Sequence, residues 1–314
     1  MSDSTKKDYS ALREKVLGIK EAEDWSHSRL ASEIGRPAGT VSNFLNGTYA
    51  GDNEKLAADI EKWLKSREAQ ARVRAQAATS PDFIPMPTSI RFLEAMEYAQ
   101  SLSEIVVVSG EPGVSKSSAI DHYKETHSNV WLLRMEPRVK SMTVFLWELC
   151  EIMGIDPSGH RGRLTAPIRD KVIGCKALLG VDEAQYLSAD HLNQLRAMNE
   201  YWGLGLALFG NRNVHARIEG KRRDPAYSQF YSRIGMRLNI NKPTEMDMKM
   251  LISAWGIEDK HETGLLCTIG SKPGGLRNID KTLKLATTAA NGSGVAVNAD
   301  FIKAAYERLS TALN

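Results

Sequence analysis

The stretch GEPGVSKSSA, residues 110–119, decides the fold. It follows the apolar run EIVVVS, residues 104–109, and leads into SSAIDHYKE, which continues as a helix. A strand that enters a glycine-bearing loop and opens a helix is the context a phosphate cradle needs. Backbone N–H groups and the helix N-terminus face the anion, and a lysine supplies a point charge. The nucleotide-binding residues predicted here are Gly110, Glu111, Pro112, Gly113, Val114, Ser115, Lys116, Ser117 and Ser118. Lys116 addresses the β- and γ-phosphates of ATP, and the Ser117 hydroxyl addresses Mg²⁺. The pattern G-x-x-x-x-G-K-[ST] takes glycine where this chain has Ser115. A Cβ there crowds the β-phosphate, because glycine serves where backbone approaches closest. Serine is the smallest polar replacement, and its hydroxyl can reach a phosphate oxygen. The loop therefore reads as a working site with slow turnover.

A second motif supports the first. ALLGVDEAQYL, residues 177–187, puts Asp182 and Glu183 at the tip of an apolar run. Asp182 is expected to hold Mg²⁺ through water, and Glu183 to orient or deprotonate the attacking water. A third apolar run, LGLALFG (204–210), ends in Asn211, a polar group placed to sense the γ-phosphate beside Glu183.

The rest of the chain is organised around this site. With 42% hydrophobic and 25% charged residues, the chain has the composition of a soluble globular protein with an ordinary core. At 314 residues it has room for two or three domains. The net charge of +3 leaves any nucleic-acid surface to local clusters. Cys150, Cys175 and Cys267 form no C-x-x-C pair, which argues against structural zinc or a disulfide framework. No secretory signal or membrane-spanning run is visible, and a cytoplasmic location is expected.

Four segments follow from composition: an all-α block, 1–65; a linker, 66–87, whose first half, rich in Ala, Arg and Gln, can extend a helix that Pro81, Pro85 and Pro87 end; an α/β core with a parallel sheet, 88–241; and a C-terminal helical lid, 242–314. Five strands are expected in the core, at 104–109, 129–135, 177–182, 204–210 and 236–240. Helical segments between them imply crossover connections.

In the first block, HSRLASEIGRPAGTVSNFLNG (27–47) has the spacing of a helix-turn-helix. Leu30 and Ala31 face inward, Gly35 ends the first helix, and Val41 and Phe44 give the second its apolar stripe. Ala31, Gly35 and Val41 match the λ-repressor-like pattern, which this block resembles over about twenty residues. That resemblance implies DNA contact through Thr40, Ser42 and Asn43, with Arg36 near a phosphate. The second helix carries no Arg or Lys, so strong guanine readout is not expected. A helical scaffold that binds a protein partner is the other reading.

The two acid and lysine motifs, Asn211, and Arg277 after the Gly-Gly turn of KPGGLRNI occur in the order of an AAA+ ATPase, which the chain resembles. The resemblance implies that Asn211 acts as sensor 1, Arg277 as sensor 2, and an arginine from a neighbouring subunit as a finger. Arg233 is the candidate, with Arg222 and Arg223 next. With the helix-turn-helix in front, and with SNVWLL, VDEAQYL, ALFGNRNV, YSRIGMRL and KPGGLRNID along the chain, the sequence is similar to the MuB family, the target-DNA-binding ATPases of phage Mu transposition. That similarity implies ATP-dependent homo-oligomerisation as a filament or ring, non-specific capture of double-stranded DNA and its delivery to a transposase.

Two basic clusters stand out. HRGRL carries Arg161 and Arg163, expected to contact DNA. NRNVHARIEGKRR carries Arg212, Arg217, Lys221, Arg222 and Arg223, equally suited to DNA or to a neighbour's nucleotide. Two other functions fit the same residues: a helicase loader acting on single strands, and a transcriptional regulator that senses nucleotide.

Overall fold

A computed structural model describes residues 8–160, 164–211, 214 and 225–310. The chain divides into two compact units, residues 1–77 and 78–314.

The first unit is helical: α1 (Ser10–Ala22), α2 (His27–Ile34), α3 (Ala38–Leu45) and α4 (Asn53–Gln76). Ser26 caps α2 by accepting the Arg29 N–H, and Gly35 ends it in the left-handed conformation with φ +74°, which a side chain would resist. Leu30, Ala31, Val41 and Phe44 are buried together with Leu56, Ala57, Ile60 and Leu64 of α4. The i, i+4, i+8 spacing of Leu56, Ile60 and Leu64 gives α4 one apolar stripe, and that stripe closes the small core.

In the second unit, α5 (Pro87–Leu102) precedes β1 (Ile105–Gly110), α6 (Lys116–Thr126), β2 (Val130–Arg134), α7 (Met142–Ile152), α8 (Thr165–Val172), β3 (Leu178–Asp182), α9 (Ala189–Trp202), β4 (Gly205–Gly210), α10 (Pro225–Tyr231) and β5 (Ile234–Ile240). The strands pair in parallel in the order β2-β3-β4-β1-β5. Each expected strand is present. β1 is buried along its whole length, with Ile105 and Val107 in the core on one face and Val106 and Val108 in the core on the other. A strand covered on both faces reads as an unbroken apolar run, as EIVVVS does. All strands point the same way, so the loops after β1, β3 and β4 emerge at one end of the sheet.

Four further helices follow: α11 (Glu245–Ala254), α12 (Lys260–Gly270), α13 (Leu276–Ser293) and α14 (Ala299–Ser310). They pack around their own core of Leu251, Ile252, Leu266, Ile269, Ile279, Leu283 and Ile302. The boundary drawn at 241 falls in the turn between β5 and α11.

The stretch 66–87, expected as a linker, is divided. Its first part prolongs α4 to Gln76, in keeping with its Ala, Arg and Gln content. Its second part packs on the second unit: the Ala78 N–H donates to Thr288 Oγ1 at 3.1 Å and Ser80 Oγ to Asp280 at 2.9 Å. Met86 and Ile84 join the core of the helical lid. Among the described residues, the cysteines are unpaired and no helix is long and apolar enough to cross a membrane.

Candidate nucleotide site

The loop between β1 and α6 opens on a cleft of about 650 Å³. Every residue of 110–118 except Glu111 and Val114 lines it. Val114 is instead buried in the core beneath the loop. Gly113 has φ +85°, and a Cβ there would lie 1.7 Å from the Gly274 carbonyl oxygen. The reason is a stitch between loop and lid: Leu276, the first residue of α13, donates its N–H to the Gly113 carbonyl at 2.8 Å. The Gly-Gly turn before Arg277 thus rests directly on the phosphate loop.

Ser115 sits in the left-handed region with φ +62°, just before the first residue of α6. That conformation costs an L-residue roughly 1–2 kcal/mol, which is the physical reason glycine suits the position. Its hydroxyl lies 3.0 Å from the hydroxyl of the buried Ser89, on the first turn of α5. The next residue, Lys116, donates from Nζ to the carbonyls of Gly110 at 2.6 Å and Glu111 at 3.0 Å. Burial pushes its pKa below the ordinary lysine value, and the nearby carboxylates of Asp182, Glu183 and Glu111 oppose that shift only in part. A desolvated ammonium facing a cleft is a strong attractor for an anion that enters it.

Asp182 and Glu183, at the C-terminal end of β3, line the same cleft, as do Ser117, Asn211 and Arg277. Asp182 Oδ1 accepts the Glu183 N–H at 2.9 Å, and Arg134 donates to its Oδ2 at 3.3 Å. Glu183 is held in a left-handed backbone with φ +56°. Its carboxylate accepts from the side-chain amide of Gln185, whose own oxygen accepts the Asn211 N–H at 3.4 Å. Gln185 is buried, so it links Glu183 to the end of β4 from within the protein.

Away from the loop the lining mixes apolar side chains with Asp82, Asp121, Glu125 and Asp280. Phe83 stacks on His122 at 3.8 Å between centroids, and Ile84, Met86, Leu251 and Leu276 complete the wall. The loop with its lysine is suited to a phosphate chain, and the aromatic and aliphatic side chains beyond it are suited to the flat face of a base. Phe83, Ile84, Met86, Ser89 and Gln185 were not singled out from the sequence. The signal for the first three was the apolar content of DFIPMP, masked by its prolines.

The remaining predicted residues lie elsewhere. Arg233 immediately precedes β5, at the opposite end of the sheet from the loop, and pairs with Glu200 at 3.1 Å. It is 56% exposed. In the first unit, Arg36 is ion-paired with Asp59 of α4. Thr40 and Ser42 on α3 are half-buried and Asn43 is exposed. Arg161, Arg163, Arg212, Arg217, Lys221, Arg222 and Arg223 fall outside the described residues.

Comparison with known proteins agrees with this geometry. An AAA domain profile matches residues 99–218, and a profile described as "Mu B transposition protein, C terminal" matches residues 232–309. The "ATP-dependent target DNA activator B" of Escherichia phage Mu is 34% identical over 301 residues, covering 96% of this chain and 95% of that protein. The "Mu-like prophage FluMu DNA transposition protein B" of Haemophilus influenzae is 34% identical over 260 residues, covering 82% of this chain and 90% of that protein. Among solved structures, a Walker-type ATPase of Pyrococcus abyssi shares the fold, with a TM-score of 0.52 at 14% identity over 75% of this chain and 76% of that one. On these grounds the chain is an AAA ATPase and belongs to the Mu B transposition protein family.

Proposed function

We propose that the protein is an ATP-driven assembly factor that oligomerises on duplex DNA, captures it as a transposition target and delivers it to a transposase. The observation that carries this reading is the convergence of Lys116, Ser117, Asp182, Glu183 and Arg277 on one cleft closed by the lid, in a chain matched end to end by a relative named as a target DNA activator.

In this mechanism the amides of the loop and the N-terminus of α6 hold the β- and γ-phosphates, and Lys116 leaves the Gly110 and Glu111 carbonyls to meet them. Ser117 and Asp182 provide the hard oxygen donors that suit Mg²⁺, and both line the cleft. When bound, Mg²⁺ neutralises charge that develops on the phosphates. Glu183 orients or deprotonates the attacking water, with its carboxylate steadied by Gln185. Asn211 reports on the γ-phosphate, and Arg277 brings the start of α13 onto the nucleotide. Arg233 completes the neighbour's site rather than its own. Because the lid is stitched to the loop through Gly113 and Leu276, the nucleotide state alters the outer surface on which a second subunit docks.

DNA contact is assigned to Thr40, Ser42 and Asn43 of α3, to Arg36 when it exchanges Asp59 for a phosphate, and to Arg161 and Arg163. ATP turnover with and without duplex DNA, together with electron microscopy of the mixture, tests the reading. Slow hydrolysis stimulated by duplex and protein-coated DNA in the presence of ATP are expected. Bare DNA at saturating protein, or a preference for single strands, overturns it.

A further inference from the structure

Ser89 lies on the first turn of α5 with no exposed surface, its hydroxyl 3.0 Å from that of Ser115. We propose that Ser89 is a positioning residue for nucleotide binding. Its hydroxyl partners Ser115 and holds the phosphate loop in the left-handed turn that a glycine would adopt unaided. The inference rests on reading the cleft as the ATP site.

Three observations carry it. First, Ser115 departs from the loop pattern at a position whose backbone is left-handed, φ +62°, so the turn has to be held by something other than the residue's own preference. Second, a serine hydroxyl in a loop competes for nearby backbone N–H groups, and here those are the groups a phosphate needs. Engaged by Ser89, the Ser115 hydroxyl is drawn toward α5, and the loop amides remain available. Third, Ser89 is itself fixed. Its neighbour Thr88 gives its N–H to Asp247 at 2.9 Å and its hydroxyl to the same carboxylate, which anchors the first turn of α5 to the lid. Ser89 therefore meets Ser115 from a support that cannot slide.

This accounts for how the chain accommodates serine where the pattern takes glycine. The hydroxyl that replaces glycine's hydrogen is matched by a second hydroxyl buried against it. It also predicts that the two positions are coupled: a glycine at 115 makes Ser89 dispensable.

The test is a double-mutant cycle on the full-length chain, with Ser89→Ala, Ser115→Gly and the pair together. Affinity for ATP with Mg²⁺ is measured by calorimetry, and melting is followed without nucleotide. Ser89→Ala alone should weaken ATP binding about tenfold, the effect of one lost buried hydrogen bond. In the Ser115→Gly background the same change should alter affinity less than about twofold, since the hydroxyl that Ser89 partners is already gone and the two changes are coupled rather than additive. Ser115→Ala, which keeps the Cβ and removes the hydroxyl, should weaken binding as Ser89→Ala does and leave nothing further to lose. Any general loss of packing lowers melting equally in both backgrounds and cancels in the comparison. Equal loss of affinity in both backgrounds, or none in either while wild type binds normally, overturns this inference alone. A wild-type chain that takes up no ATP overturns the reading of the cleft, and this inference with it.

Discussion

Asp247 accepts the backbone N–H of Thr88 at 2.9 Å, so a carboxylate of the lid caps a helix of the sheet domain. The same group accepts the Thr244 N–H at 2.7 Å and the Thr244 hydroxyl at 2.8 Å, closing the capping box of its own helix. Two helix N-termini therefore depend on one buried side chain. Asp247→Ala is expected to cost about 2–4 kcal/mol, the sum of two lost caps. Urea unfolding of the nucleotide-free protein measures this, and ATP affinity should fall with it as the lid loosens.

Gly113 tolerates no side chain. A Cβ there would meet the Gly274 carbonyl oxygen at 1.7 Å, in a backbone of φ +85° that disfavours L-residues. Gly113→Ala is expected to break the Leu276 bond, lower stability by about 2–3 kcal/mol and abolish ATP uptake. A variant that melts and binds like wild type would contradict the stitched loop.

Lys116 makes a signed prediction with pH. Burial holds its folded pKa below the unfolded value near 10.5. Between those two values the unfolded chain carries more protons, so the protein gains stability as pH rises through that window, and the cost of the buried charge is fully present below it. Lys116→Met removes this term and should give a flatter profile. The melting difference, variant minus wild type, should shrink as pH climbs toward 10.5. ATP should stabilise the wild type and not the variant.

Glu183→Gln should leave ATP uptake within a few fold and lower turnover by about 100-fold or more, the scale of a lost general base. Gln185→Leu removes the donor to Glu183 and the acceptor of the Asn211 N–H. It should lower kcat about tenfold with KM nearly unchanged, as expected for a group that positions the acid rather than the substrate. Phosphate release assays distinguish the two.

The sheet was legible because each of its strands is a short apolar run bounded by glycine or polar residues. The cleft was legible for a related reason. Gly110, Asp182 and Asn211 close or follow three adjacent parallel strands, so their convergence follows once those runs are read as a parallel sheet. What stayed hidden were single polar residues whose partners are remote in the chain. Nothing in the spacing ties Ser89 to Ser115 or Thr88 to Asp247. Asp59, the partner of Arg36, was equally invisible, since an arginine beside a helix-turn-helix turn reads first as a phosphate contact. The prolines of 81–87 suggested a spacer, although Phe83, Ile84 and Met86 between them line the cleft.

The bond between Gly113 and Leu276 also bears on synthesis. A ribosome delivers the first helices and the phosphate loop long before it delivers the turn that rests on that loop, and domains generally fold in the order they emerge. An unfinished polypeptide can thus display its leading helical unit, yet it lacks the piece that shuts the pocket. The contact between loop and lid can therefore form only once nearly the whole second unit has been translated.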